Sequence, residues 1–331
     1  MNQHKRDERI DILRGLAIIL VVLGHAGVNS YFWNAIYFFH MPLFFFISGC
    51  FFKPLKKRSM ISYIRNLKWR GVYTPFVIYS LIFLMLSPIL YYCGLSNTHL
   101  STTAEWLKSM GLVLRFRTAP VDLLGQFWFL PILFWSHALT LVVTKCKYKG
   151  WVCLVAFIIY TIGRLLYNEG YKEPYDFSRI MYLSAFYMMG YVTYRHLTTL
   201  FLNKYIVVIF ASLFIGLTFI PNLVFADVIL YAIVAFLGIL ITYALSNQLA
   251  LRGGSKYIFI YLGRNTMCIY VFHCLAMKLV ELILSYMNLI EYSIGWKGSM
   301  PENNYWWLYT ILGIILPVCF CKIKSLIIQA R

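Results

Sequence analysis

Apolar runs of about twenty residues, each bounded by charge or turn residues, recur along almost the whole chain. Segments such as 206–226 and 228–251 hold no charged residue, and a helix of that length spans the hydrocarbon core of a bilayer. The pattern predicts helical spans near 13–30, 35–52, 72–92, 126–143, 151–167, 178–194, 205–221, 223–245, 266–287 and 305–321. The expected fold class is therefore all-α: a polytopic membrane bundle of about ten transmembrane helices. An even number of spans puts both termini on one side, expected to be the cytoplasm.

Composition agrees with that reading. Of 331 residues, 61% are hydrophobic and 13% are charged, too little charge to solvate a soluble globule of this size. No repeat, low-complexity tract or linker interrupts the pattern, so residues 1–331 read as a single membrane domain. Lys5, Arg6 and Arg9 before the first apolar run imitate a secretory leader, but no small-residue cleavage site follows between Ala26 and Ser30. That run is expected to remain as the first helix.

The formal charge of +18 would suggest nucleic acid in a soluble protein. Here it follows topology: with the N-terminus inside, the inner segments hold 22 Lys and Arg and the outer ones six, as the positive-inside rule requires. The basic excess serves orientation and anionic headgroups, and no nucleic-acid partner is expected. The segment from Lys53 to Arg70 reads as a topology anchor or a basic interfacial helix. The eight cysteines lie mostly in apolar runs without paired spacing, so neither a metal site nor a disulfide framework is expected.

Residues 10–25, IDILRGLAIILVVLGH, carry the most informative chemistry, because Asp11, Arg14 and His25 fall at the start of and within the first span. His25 follows Arg14 by eleven positions, which on an ideal helix sets the two about 16 Å apart along the axis and only about 20° apart around it. Both then face one cavity. Such a pair suits a long anionic donor, with Arg14 near its phosphates and His25 near its reactive end; alternatively Arg14 snorkels and His25 joins two helices. Asp11, three residues before Arg14, is spaced to hold it.

The segment resembles the start of the acyltransferase-3 family of integral membrane acyltransferases, in which an arginine, ten intervening residues and a histidine mark the first helix. Residues 38–52, FFHMPLFFFISGCFF, look like that family's next motif. Weaker similarities extend through Trp128–Phe129–Leu130, the surroundings of Gly190, and residues 262–273, LGRNTMCIYVFH. Arg65, Lys68 and Arg70 before Pro75 resemble the basic pair and early proline of its third span.

The resemblance implies a bacterial inner-membrane, multi-pass O-acyltransferase. It would move an acetyl group from acetyl-CoA, without a metal, to a hydroxyl of a surface polysaccharide or lipid-linked glycan. His25 and Arg14 would be the catalytic pair, with Arg14 also holding the donor. Beside it stands a transporter or flippase for a lipid-linked glycan, which intramembrane charge and aromatic residues also suit.

His40, His273 and Asp227 are candidates for touching the acceptor, each with a structural alternative, as has His137. Arg164, near an outer helix end, is expected to snorkel, and Lys278 and Glu281 to pair with each other.

Overall fold

A computed structural model describes residues 7–54, 71–146, 148–170, 176–197, 203–251 and 253–329. The proposed basic anchor beyond Pro54, with Arg65, Lys68 and Arg70, lies outside the described residues. Every regular element among them is helical. In chain order these are α1 (Glu8–His25), α2 (Ser30–Tyr37), α3 (His40–Cys50), α4 (Thr74–Tyr92), α5 (Thr103–Leu114), a short 3₁₀ turn (Gly125–Trp128), α6 (Phe129–Val143) and α7 (Lys149–Asn168). They continue with α8 (Phe177–Leu197), α9 (Lys204–Leu217), α10 (Pro221–Ala226), α11 (Val228–Leu251), α12 (Lys256–Arg264), α13 (Thr266–Tyr286) and α14 (Trp306–Gln329).

Each span predicted from the sequence overlaps a helix, although 35–52 is divided between α2 and α3 and 223–245 between α10 and α11. Among the described residues six helical stretches are long and apolar enough to cross a bilayer, including Ser30–Cys50 as one unit, and Lys204–Leu217 and Trp306–Lys322 are shorter apolar helices. α1 differs in carrying Glu8, Arg9, Asp11 and Arg14 in its first two turns. Outward faces are apolar, as on α4 with Ile78, Ile82, Met85 and Ile89, a surface suited to lipid and not to water. The chain is a multi-pass membrane protein.

The helix ends follow local chemistry. Asp7 caps α1 by accepting from Arg9 N, Thr102 and Glu105 form a reciprocal capping box on α5, and Pro75 sits in the first turn of α4, where no N–H is needed.

Two close crossings position the centre. Gly15 of α1 meets the backbone of Phe259, and Gly263 of α12 meets that of Asp11; a Cβ at either would overlap a carbonyl oxygen. Gly49 of α3 and Gly190 of α8 make the same approach to Tyr187 and Phe46. Lipid gives apolar side chains little reason to seek each other, so small residues that let backbones touch supply the packing energy. Ion pairs from Lys256 to Glu8 (2.8 Å) and from Arg264 to Asp11 (3.2 Å) add to the α1–α12 crossing.

One expectation is corrected: Cys268 and Cys321 form a disulfide that joins α13 to α14. They are 53 residues apart, and only the packing of two helices brings them together.

Candidate active site

Along α1, three turns separate Arg14 from His25, and both line one cavity of about 1180 Å³. The common face expected from their spacing is therefore present. His25 ends α1, where the segment 295–303 folds across it: Met300 N donates to the His25 carbonyl (2.9 Å), and Asn303 N to that of Gly27 (3.1 Å).

The same segment fixes the imidazole. His25 Nδ1 lies 2.6 Å from the Gly298 carbonyl oxygen, and because a carbonyl only accepts, Nδ1 must carry the proton. In the neutral ring Nε2 then holds the lone pair. The rings of His273, Trp296 and Tyr37 surround it at centroid distances of 5.3, 6.0 and 6.3 Å.

The other histidines differ in ways that separate their roles. His40 lines the cavity and donates from Nδ1 to the Ile36 carbonyl one turn back (2.8 Å). His273 is wholly buried behind His25; its Nδ1 serves the Tyr270 carbonyl (2.8 Å), and its Nε2 faces Cys274 Sγ at 3.3 Å. Both its ring nitrogens are thus engaged. His137 bonds the Tyr187 hydroxyl (2.6 Å) in the buried packing beside Phe52.

At the α1 N-terminal end the cavity is cationic. Arg14 places its guanidinium 4.5 Å over the Phe51 ring, and Arg264 also lines the wall while pairing with Asp11. Asp11 therefore serves Arg264, a partner that local spacing does not reveal.

The far end carries a second cationic group. Contrary to the expectation that it snorkels, Arg164 is 2% exposed and lines the cavity. It donates to the Phe225 carbonyl and lies 4.0 Å over Tyr231, 5.3 Å from Tyr167 and 5.7 Å from Tyr182. Arg179 stands near it, 5.0 Å over Trp128. Asp227 is exposed and outside the cavity lining, capping α11 by accepting from Leu230 N (2.6 Å).

Sequence reasoning missed Gln126. Its buried side-chain amide lines the cavity, and neither its oxygen nor its nitrogen has a hydrogen-bond partner among the described residues, which makes it a donor available to a bound oxygen. A carboxylate in the cavity wall was also missed. Asp122 accepts from Asn97 N (2.7 Å), Trp296 N (3.2 Å) and Thr98 Oγ1 (3.1 Å). The Lys278–Glu281 pair forms as expected: Lys278 donates to the Ser293 carbonyl, and Glu281 accepts from Ser293 N. Together they hold the segment that carries Trp296 and Gly298. Among the described residues no group of three or more His, Cys, Asp or Glu is placed to hold a metal ion.

The acyltransferase-3 family model, described as an acyltransferase domain, matches residues 7–323. Nodulation protein NolL of Sinorhizobium fredii is 32% identical over 149 residues, covering 41% of this chain and 36% of NolL's own length. No solved structure matches the chain.

Proposed function

The chain belongs to the acyltransferase-3 family, and from that membership we propose that it is an inner-membrane O-acyltransferase that moves acetyl from acetyl-CoA to a hydroxyl of a surface polysaccharide or lipid-linked glycan. The observation that carries the reading is the single cavity lined by Arg14 and His25, with the imidazole tautomer set by Gly298. The proposed topology has ten spans and both termini in the cytoplasm, so that Arg14 and Arg264 meet the donor's phosphates from that side.

His25 is the general base. Its Nε2 takes the acceptor hydroxyl proton as the oxygen attacks the thioester carbon. A tetrahedral oxyanion forms, to which the Gln126 amide donates. Collapse breaks the carbon–sulfur bond, and the proton on His25 passes to the departing thiolate, leaving an ester and free CoA. Donor and acceptor meet at the middle of the cavity, where His40 contacts the acceptor. Holding them together supplies the proximity that a bimolecular reaction in water lacks.

Incubation of the purified protein with labelled acetyl-CoA and candidate glycans tests this. Transfer of label to the glycan is the expected result. Donor-independent movement of a lipid-linked glycan across vesicles, with no label transferred, would replace the enzyme by a transporter.

A further inference from the structure

α11 runs antiparallel to α1, which fixes the order of groups along the cavity. Leu249 packs with Ile12 near the start of α1, Gly238 meets the Phe39 ring beside His40, and Tyr231 lies seven residues further along α11. At the rise of an α-helix those seven residues are about 10 Å. The cavity therefore passes from Arg14 and Arg264, through His25 and His40, to Arg164 and its aromatic neighbours beyond.

Arg164 is a buried cation with no matched anion among the described residues. Among the described residues no carboxylate comes within 4.0 Å of it, and its Nε has no hydrogen-bond partner. A buried guanidinium in that state is costly; the Phe225 carbonyl and the ring of Tyr231 offset only part of the cost. Arg179 shares the Tyr167 ring with it, at 5.5 Å against 5.3 Å, so two cations contact one aromatic ring. Among the described residues the one carboxylate within 4.0 Å of Arg179 is that of Asp176, at a loose 3.6 Å. Two planar guanidinium groups among tyrosine and tryptophan rings match a sugar that bears an anionic group: the rings stack on the sugar and the forks grip the oxygens.

We propose that this end of the cavity is an anion subsite that selects acceptors carrying a carboxylate or a phosphate on the sugar. Its role as an acceptor site rests on the acyltransferase reading; its affinity for anions does not. A uronate residue in the glycan and the phosphate of a sugar phosphate are the two sources of that chemistry.

Calorimetry on the full chain in nanodiscs distinguishes them with three probes: a disaccharide ending in a uronate, a hexose 1-phosphate, and the carboxyl-reduced neutral disaccharide. At least one anionic probe is expected to bind about tenfold or more tighter than the neutral one, and the tighter of the two names the source. Arg164→Gln and Arg179→Gln should each remove most of that advantage, and Arg164→Lys, which keeps the charge but not the fork, should retain part of it. Acetyl-CoA binding at the opposite end reports whether each variant is folded; if Arg164→Gln is not, Arg179→Gln and Arg164→Lys decide. Equal binding of neutral and anionic probes, or an advantage that survives both glutamine variants, overturns the subsite. Acetyl transfer without charge selectivity would sink the subsite and leave the acyltransferase reading. Charge-selective binding with no acetyl transfer to any acceptor would do the reverse.

Discussion

Replacing Asp122 by alanine is expected to slow acetyl transfer while leaving donor binding unchanged. Its carboxylate ties the segments around Asn97, Asp122 and Trp296 together, and Asn97 Nδ2 adds a bond to the Ile294 carbonyl (2.9 Å). The docked segment brings Gly298 to His25 Nδ1. A hydrogen bond to a charged acceptor contributes about 1.5–3 kcal/mol, and Asp122 is half-buried, so water replaces part of it. A net cost of about 2 kcal/mol to docking is a factor of about 30 in that equilibrium, and kcat falls by up to that factor.

The dissociation constant for acetyl-CoA is expected to stay put, because the proposed donor contacts are Arg14 and Arg264 and not this segment. Asp122→Asn, which keeps one accepting oxygen, falls between. Single-turnover transfer of labelled acetyl measures the rate, and ¹⁵N NMR of the histidines reads the His25 tautomer directly. An Asp122→Ala protein with unaltered kcat and an unaltered His25 signal would refute the reasoning.

Three further outcomes follow from the same geometry. Arg14→Ala should weaken acetyl-CoA binding about tenfold or more, measured by calorimetry, while the thermal transition moves little. Gly15→Leu should prevent the α1–α12 crossing, because its Cβ has no room beside Phe259; the thermal transition of the purified protein is expected to fall sharply or the protein not to accumulate. Lys278→Met strands Glu281 in the interior and should cost about 3–5 kcal/mol, whereas pairing it with Glu281→Leu should recover most of the loss in the same unfolding assay.

The helical class was legible because apolar length is a one-dimensional property, and each predicted span overlaps a helix; the breaks at Phe39 and Asp227 were missed, because the apolar pattern runs on through the one and beside the other. The Arg14–His25 relation was legible because eleven residues are close to three whole turns. Arg164 was misjudged because hydropathy reports depth and not direction around the helix. The signal for direction was nevertheless present: Tyr160 and Gly163, four residues and one residue before it, are buried on the protein side, and Tyr167, three residues after it, reaches the Tyr182 ring although it is itself exposed. Asp227, directly before an apolar run, already carried the signature of a helix cap. Arg264 on Asp11, Gly298 on His25 and Cys268 with Cys321 join residues far apart in the chain, and no local pattern encodes such pairs.

The central claim is that His25 takes the proton from the acceptor. Acetyl transfer to glycan by a membrane-inserted His25→Ala protein, normalised to the amount inserted and to acetyl-CoA binding, tests it most directly. The account predicts donor binding close to wild type and transfer reduced to background. Transfer at the wild-type rate would contradict it.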